Sequence, residues 1–549
     1  MFADLLAVFE RYRFTVLPAI LLVAGFAVWL RRDRRLDKMP GPRGLPLIGI
    51  GISLPEKAHV RFREWAGQYG EVFKLRVGWF NWVVINSPEA MHEILNKQSI
   101  HTSSKMPAPL GNDVVMGGMR MFTLPYGSKW RAYRNISHQL LSSTMTSTFV
   151  PSQEYEVKQL LFDLATDNQK EQEFQMHVRR FAFSIMMTST YGIRVTNWDD
   201  ENVHHALASA RILGQITRAG AFVVDELPFL ARLPPWLQPG RRQAEAYAKP
   251  MLEAKMLLWR GLQEKVAQGR APVCYARELM ENSDGWRKQG LRDEDAAWVT
   301  GGNVEAGSTT TSVTLLSLLL HLAAEPRAQQ AAHAELMRVV GPDRSPTFED
   351  VRDLPYVRAC VKEVLRMHPT PFWGIKHYAD ADVVYKNYVI PKGTILLGNT
   401  SYLHYDPRRY DEPFTFRPGR YLEFSKYSSE YANQVDPYQR DHFTFGMGRR
   451  ICPGSRLAEN SLDIALANIL WAFEIRPPLV DGVEAESMDV SDDDWEDTSF
   501  RGPRPYRVRF VPRSQARLDL VQSQWQKATK EGYTLRGQRV DMNGFVQKT

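Results

Sequence analysis

One stretch concentrates residue types that can do chemistry: Phe445-Gly-Met-Gly-Arg-Arg-Ile-Cys-Pro-Gly454. A cysteine is approached there by a glycine-punctuated loop with two arginines beside it. Glycines let a backbone turn tightly and aim N–H groups at one atom. Nearby positive charge favours thiolate over thiol. Pro453 allows a helix to start, and Ser455 to Phe473 carries helical apolar spacing. Cys452 therefore sits at or near a helix N-terminus, whose dipole also favours an anion. A zinc site would need more ligands, and no second cysteine or paired histidine lies nearby. A nucleotide loop of the GxGxxG kind fails on spacing. A cysteine nucleophile wants an oriented histidine, and His442 is close only in sequence. An inert buried cysteine would not need this setting. A thiolate ligand to one metal-bearing cofactor fits best.

Haem iron accepts a single cysteine, and its two propionates need cations. Three other groupings bear on that chemistry, each weak alone. Glu363-Val-Leu-Arg366 places an acid and a base on one helical face, usually mere surface decoration. Trp130-Arg-Ala-Tyr-Arg134 reads by itself as an amphipathic helix with a stray tryptophan. Ala306-Gly-Ser-Thr-Thr-Thr311 is poor helix sequence, and its small residues would serve close helix packing.

Together these segments resemble the cytochrome P450 family. Phe445 to Gly454 matches its haem signature Phe-x-x-Gly-x-Arg-x-Cys-x-Gly at every fixed position, Gly448 included. The resemblance implies that Cys452 is the axial ligand of haem b iron, Arg450 a propionate partner and Phe445 the ring beside the sulfur. Phe416-Arg-Pro-Gly-Arg420 is similar to the segment whose arginine completes a buried network with the ExxR pair. Glu363, Arg366 and Arg420 are accordingly assigned a structural role. Trp130 and Arg134 resemble the WxxxR helix that meets a propionate. His377 occupies the place of another propionate donor, although Gly374-Ile-Lys-His carries lysine where proline is common. Ala306 and Gly307 leave room over the haem for O₂, and Thr310 matches the threonine that hydrogen-bonds the iron-bound oxygen species. One departure stands out. The residue before that threonine is usually an acid and here is Thr309, which places the proton relay in doubt. Glu305, four residues earlier on the same helical face, is the candidate substitute through water.

The elements that must position these residues are mostly helices. Val72 to Val84 is β-branched and aromatic around Gly78 and reads as a strand pair, and Tyr385 to Leu397 around Pro391-Lys-Gly393 reads similarly. Asp295 to Glu325 runs without proline, opened by acids and closed by Pro326. It is apolar enough to raise a membrane span, but the serines, threonines and histidine after Ala306 favour a buried central helix. Phe14 to Leu30 has no charge and is followed by Arg31, Arg32, Arg34, Arg35 and Lys38. That pattern predicts an uncleaved anchor with the body cytosolic. A Pro/Gly hinge, 39–46, follows. Asp481 to Asp497 is an acidic solvated loop, and the segment from 514 on reads as an exposed polar tail.

The 549 residues, 44% hydrophobic and 24% charged, exclude wholesale disorder, and a mean hydropathy of −0.35 excludes a polytopic membrane protein. Three scattered cysteines exclude a disulfide framework. A net charge of +7 gives no reason to invoke nucleic acid. With no interdomain linker or repeat, the expected layout is an anchor (1–38, span 14–30), the hinge, one haem domain (47–513) and the tail (514–549). The expected fold is mainly α, that of cytochrome P450, with a small β-rich lobe and a single-pass N-terminal helix in the endoplasmic reticulum membrane. The resemblance implies an NADPH- and O₂-dependent monooxygenase, similar to filamentous-fungal members of secondary metabolism. No flavin or nicotinamide domain is fused. Electrons must come from a separate NADPH-cytochrome P450 reductase carrying FAD and FMN, with cytochrome b5 as a second donor, docking near Arg449 and Arg456. The pocket would be apolar, with Phe372 and Trp373 in its wall. Two alternatives remain: a rearrangement, desaturation or dehydration without net oxygenation, and a haem-binding protein without turnover.

Overall fold

The computed structural model describes residues 33–45, 49–51, 54, 57–166, 173–218, 220–496 and 500–547. The span expected at 14–30 lies outside the described residues. In chain order the body begins with β1 (Val72–Val77) and β2 (Phe80–Ile85), antiparallel with Val72 opposite Ile85 and Val77 opposite Phe80. The helices α1 (Ser128–Leu140), α2 (Val150–Thr166), α3 (Phe174–Tyr191), α4 (Glu201–Ile216) and α5 (Arg241–Ala267) follow. Next come α6 (Asp293–Ala324), α7 (Pro326–Val339) and α8 (Pro355–Met367). The strands β3 (His377–Tyr378), β4 (Val383–Tyr385), β5 (Tyr388–Ile390) and β6 (Ile395–Gly398) lead to α9 (Ser455–Ala472) and β7 (Phe473–Arg476). The chain closes with β8 (Arg509–Pro512), α10 (Gln515–Glu531), β9 (Tyr533–Leu535) and β10 (Gln538–Val540).

The β-rich lobe is a four-stranded sheet in the order β1-β2-β6-β3. Tyr385 to Leu397 is not the strand pair its sequence suggests. Its two apolar runs separate, β5 closing a hairpin with β4 and β6 pairing parallel to β2. Parallel partners distant in sequence carry no local turn signal. The hinge does not stand free: Met39 is buried, and the Lys74 N–H donates to the Pro40 carbonyl at 2.8 Å, so this segment runs along β1.

The main core lies between α2, α3, α6, α7, α8 and α9. The 32 residues of α6 reach about 48 Å. Leu315, Leu318, Leu319 and Leu322 on α6 are fully buried, each contributing roughly 1.5–3 kcal/mol. Its hydroxyls are reconciled with burial by bonding back one turn. Thr300 Oγ1 donates to the Ala296 carbonyl at 2.9 Å, Ser308 Oγ to Val304 at 2.7 Å and Ser317 Oγ to Val313 at 2.8 Å. The hydroxyl count thus argues against a span without arguing against an apolar interior.

The C-terminal segment is not an exposed tail. Val521, Trp525 and Ala528 bury one face of α10, and Tyr533, Leu535 and Val540 of the β9–β10 hairpin are buried too. Tyr155 on α2 meets the rings of Trp525 at 5.6 Å and Tyr533 at 5.0 Å. The acidic run is likewise anchored, because Trp495 is buried and Arg501 donates to Asp492 at 2.7 Å.

Candidate functional site

The Cys452 loop is shaped by its glycines. Gly446 and Gly448 have φ of +75° and +61°, in the region L side chains rarely adopt. A Cβ on Gly448 would lie 2.3 Å from the Leu95 carbonyl oxygen, so only glycine fits that approach. The Cys452 N–H donates to the Phe445 carbonyl at 2.8 Å, closing the loop. Arg440 braces it from behind, donating to the His442 carbonyl at 2.9 Å and to the Gly446 carbonyl. Phe445 packs against the main core. Ser455 then opens α9, so Cys452 stands just before a helix start. Burial raises the thiol pKa, while the Gly454 N–H and the Arg134 charge oppose it. His442 is no partner for this sulfur: its ring nitrogens meet Ser428 Oγ at 3.2 Å and the Thr444 N–H at 3.4 Å. No cluster of three or more His, Cys, Asp or Glu fit to hold a metal ion occurs among the described residues.

Cations converge beside the cysteine. The start of α1 is tied to the start of α6, since buried Asp295 accepts from Tyr133 Oη at 2.5 Å and pairs with Lys129 at 2.8 Å. That fixes Trp130 and Arg134 on α1. The Arg450 guanidinium lies 4.4 Å from the Trp130 ring centre and donates to the carbonyls of Ser103 at 2.6 Å, Met121 at 3.1 Å and Leu124. Burial pushes the Arg450 pKa down to about 9, Arg134 adding repulsion and Asp380 opposing. Arg134 has no hydrogen bond or ion pair among the described residues, and burial lowers its pKa.

His377 sits beside this group but is not positioned as a simple donor. Its Nδ1 meets the Thr102 carbonyl at 2.7 Å, and burial with Lys105 nearby pushes its pKa well down. The neutral ring then leaves Nε2 bare, and only an anion close by would favour its protonation. Sequence reasoning missed Lys105. Its ammonium donates to the Lys376 carbonyl at 2.7 Å, and its pKa is driven well down by burial and by Arg450 and Lys376. Lys105 belongs to no motif and carries no local signal. Beside Trp130, the cations Arg134, Arg450 and Lys105 form an enclosed, mutually repelling group that Asp380 answers only in part. That chemistry fits a cofactor with two carboxylates near Cys452.

On α6, Val304 and Thr311 are buried, but between them Ala306 and Thr309 expose surface and Thr310 is half-exposed. Thr310 Oγ1 donates to the Ala306 carbonyl at 2.7 Å. Gly307 does not open the same face. A Cβ there would meet Met186 Sδ at 2.5 Å, so its missing side chain admits α3 rather than O₂. Glu305 is not free to face Thr309 alone: it pairs with buried Lys255 of α5 and accepts from Ser209 Oγ of α4 at 3.2 Å. Burial raises its pKa, but Lys255 and Arg120 outweigh that and hold it below the usual range. Gly301 makes room for Lys255, since a Cβ there would come within 2.8 Å of the lysine Cδ. Lys255 had a sequence signal. It lies four residues from both Met251 and Trp259, on the buried face of α5.

Away from the cysteine, Glu363 accepts from Arg366 at 2.8 and 2.9 Å, from Arg420 at 3.1 Å and from the Arg417 N–H at 2.9 Å. Arg366 also donates to the carbonyls of His404 at 2.6 Å and Pro413 at 2.8 Å. This network joins α8 to the segment before the Cys452 loop and is satisfied within the chain.

The sequence profile of the family described as Cytochrome P450 matches residues 39–490. The chain is 55% identical over 540 residues to cytochrome P450 monooxygenase pgmC of Aspergillus terreus, covering 98% of each chain. It is 35% identical to cytochrome P450 monooxygenase verL of Clonostachys rogersoniana, covering 94% of this chain and 95% of the other. It is 34% identical to cytochrome P450 monooxygenase fogE of Aspergillus ruber, covering 93% and 95%.

Proposed function

The chain belongs to the cytochrome P450 family, whose members are haem b monooxygenases, and from that premise we propose that it inserts one oxygen atom of O₂ into a small, largely apolar organic substrate of fungal secondary metabolism. One observation carries this reading: a glycine-shaped cysteine loop flanked by cations, of which Arg134 has no acid partner among the described residues, in a body whose central helix exposes a hydroxyl-bearing turn. Bound haem would supply the iron at which O₂ is activated, with the Cys452 thiolate pushing electron density to it. Arg134, Arg450, Trp130 and Lys105 would hold its propionates, and His377 would join them once protonated.

The chain's own share is orientation, exclusion of water and proton supply. Ala306 keeps the exposed turn of α6 small. Thr310 Oγ1, tethered to the Ala306 carbonyl, keeps its lone pairs available. Because Glu305 is held ionised, a proton passes from Lys255 Nζ through the Glu305 carboxylate and water to the Thr309 and Thr310 hydroxyls, and Lys255 regains one from solvent. Trp373 contributes an aromatic wall, whereas Phe372, expected beside it, is buried against His59 and Arg501.

Electrons would come from NADPH-cytochrome P450 reductase, docking at the exposed Arg449 beside the cysteine loop. The body would sit on the endoplasmic reticulum membrane facing the cytosol. Supporting this, the rings of Trp79 and Phe229 meet at 5.2 Å, tilted, on the surface, with Leu233, Trp236 and Leu237 exposed in the following segment.

The test begins with the metabolites that accumulate when the gene is deleted, used as substrates for the full chain with reductase and isotopically labelled O₂. One labelled oxygen in the product is the expected result. Unlabelled product overturns oxygen insertion and favours rearrangement or dehydration, a reading to which Thr309 in place of an acid lends weight.

A further inference from the structure

Resting on the haem-thiolate reading, we infer that Glu459, buried on α9 just beyond the cysteine loop, takes up a proton when the haem is reduced, and so is a positioning residue for electron transfer. The geometry starts at the buried Ser428 hydroxyl. Asp441 Oδ2 lies 2.6 Å from it, Glu459 Oε1 2.9 Å, His442 Nε2 3.2 Å and Lys362 Nζ 3.3 Å. The Ser428 N–H also donates to the two Glu459 oxygens, at 3.1 and 3.2 Å. Lys362 of α8 donates to Asp441 at 2.7 Å but stands 3.7 Å from Glu459. Asp463, one turn further along α9, pairs with Arg358 of α8 at 3.3 Å. Lys362, Asp441, His442, Glu459 and Asp463 are all buried.

Two counts place a proton on Glu459. A serine hydroxyl has one hydrogen, yet Asp441 and Glu459 both lie within hydrogen-bond distance of it, so one of the two contacts needs a proton from the carboxyl side. Asp441 already accepts from Lys362 and from the His442 N–H at 2.8 Å, which hold it ionised. The proton falls to Glu459. Charge gives the same answer, since the three buried acids Asp441, Glu459 and Asp463 face the two cations Lys362 and Arg358. His442 is no third cation: the Thr444 N–H faces its Nδ1 at 3.4 Å, and burial pushes its pKa down to about 4. Arg440 is spent on carbonyls, and Arg456 lies 4.2 Å from the Tyr427 ring centre. Burial, with Asp441 and Asp463 adding and Lys362 opposing, pushes Glu459 up to about 7, so near neutral pH it exchanges its proton. Its charge acts on the Cys452 sulfur. Cys452 lies three residues before α9 and Glu459 is the fifth residue of that helix, which limits their separation to about 16 Å. An electron added at that range, with an effective dielectric constant of about 20, strengthens proton binding roughly fivefold or more. The step balances: the reductase supplies the electron to the haem, solvent supplies the proton to a Glu459 oxygen, and the net charge of this interior stays constant. The exposed Lys426 and Glu430 flank Ser428, which brings solvent close to the group.

The test is the haem reduction potential of the purified full chain, read by spectroelectrochemical titration between about pH 5.5 and 8.5. The native potential is expected to fall as pH rises through the window, by about 40 mV or more in total, which is the fivefold change at 59 mV per decade. Glu459→Gln keeps the shape of the neutral acid without its titration, and should hold the native low-pH potential throughout. Ser428→Ala removes a donor to ionised Glu459, and should move the fall to higher pH. A native potential that does not change with pH overturns the inference, as does a fall that survives in Glu459→Gln or stays in place in Ser428→Ala. A merely structural Glu459 would leave the pH profiles of native chain and Glu459→Gln parallel. Either variant decides the question alone if the other does not hold haem. The reduced carbon-monoxide spectrum of the same preparations separates this from the underlying reading. A Soret band without the thiolate red shift refutes the haem-thiolate assignment whatever the potentials do, and a retained band with a pH-independent potential refutes only the role of Glu459.

Discussion

Gly446 and Gly448 offer a controlled pair for testing how the cysteine loop is held. Both take positive φ, +75° and +61°, so alanine at either should cost roughly 1–2 kcal/mol of backbone strain. Their surroundings differ. A Cβ on Gly446 finds nothing nearer than the Arg450 carbonyl at 3.8 Å, whereas on Gly448 it would lie 2.3 Å from the Leu95 carbonyl oxygen. Ordinary contact requires that distance to open by about 1 Å. The obstacle is backbone, in a segment whose Ile94 and Leu95 are buried, so it cannot swing aside as a side chain would. Overpacking of this kind costs roughly 1–3 kcal/mol. Gly448→Ala should therefore destabilise by about 2–5 kcal/mol and Gly446→Ala by only about 1–2 kcal/mol. Because Cys452 follows Gly448 by four residues, the displaced loop should also carry the sulfur out of register. The assay is the unfolding midpoint of each purified variant together with the fraction of its haem that shows the thiolate-shifted Soret band on reduction with carbon monoxide. The reasoning fails if Gly446→Ala is as damaging as Gly448→Ala, or if Gly448→Ala keeps both the midpoint and the full thiolate band.

Three further outcomes follow from the same geometry. Glu363→Gln removes the charge that four donors share and leaves Arg366 buried without an acid, so it should cost about 3–5 kcal/mol, whereas Arg420→Ala should cost about 1–3 kcal/mol; a reversed order in denaturant unfolding would contradict the network. Glu305→Gln, by breaking the pair with Lys255, should lower the product formed per NADPH consumed about tenfold, and an unchanged ratio would remove Glu305 from the proton route. Glu459 is pushed up to about 7 by burial, with Asp441 and Asp463 adding to the shift, so the folded state binds a proton between about pH 4.5 and 7 that the unfolded chain releases. Stability from this group is thus present at low pH and lost as pH rises through 7. The stabilisation of Glu459→Gln relative to the native chain should grow across that window by about 1 kcal/mol or more, and a pH-independent difference in unfolding midpoints would refute the shift.

Legibility in the sequence followed the range of the physics. The Cys452 loop was readable because its requirements are local: positive φ at Gly446 and Gly448, an arginine two residues before the sulfur, and a helix beginning just after it. The long helix was readable from its acids, its lack of proline and its closing Pro326. The features that escaped depend on partners distant in the chain. Gly307 looked like space for a ligand, yet its neighbour is Met186 on another helix. The segment after 514 looked polar because the buried face of α10 combines Arg517 with just Val521, Trp525 and Ala528, and their partners include Tyr155 on α2. Strand β6 could not be assigned to β2 from sequence, because parallel pairing leaves no turn to read. Lys255 had a periodic signal, but no local rule says that a lysine on an apolar face will find Glu305.

The buried charges of this chain divide by one criterion, and the division separates structure from ligand binding. Where a buried charge is answered from within the chain, as Glu363 is by Arg366, Arg420 and the Arg417 N–H, the group fixes how α8 meets the segment leading to the cysteine loop. No ligand is needed to settle it. Arg134 stands differently, facing Cys452 with no acid of its own. A folded chain tolerates such an arrangement only if the cost is recovered when an anion binds. The Lys255–Glu305 pair falls between the two classes: internally neutral, it abuts an exposed turn of α6, and any proton it passes on is replaced from solvent to restore that neutrality. That is how a chain with threonine before Thr310 could still deliver protons there, through an ion pair one helical turn away rather than an adjacent carboxylic acid.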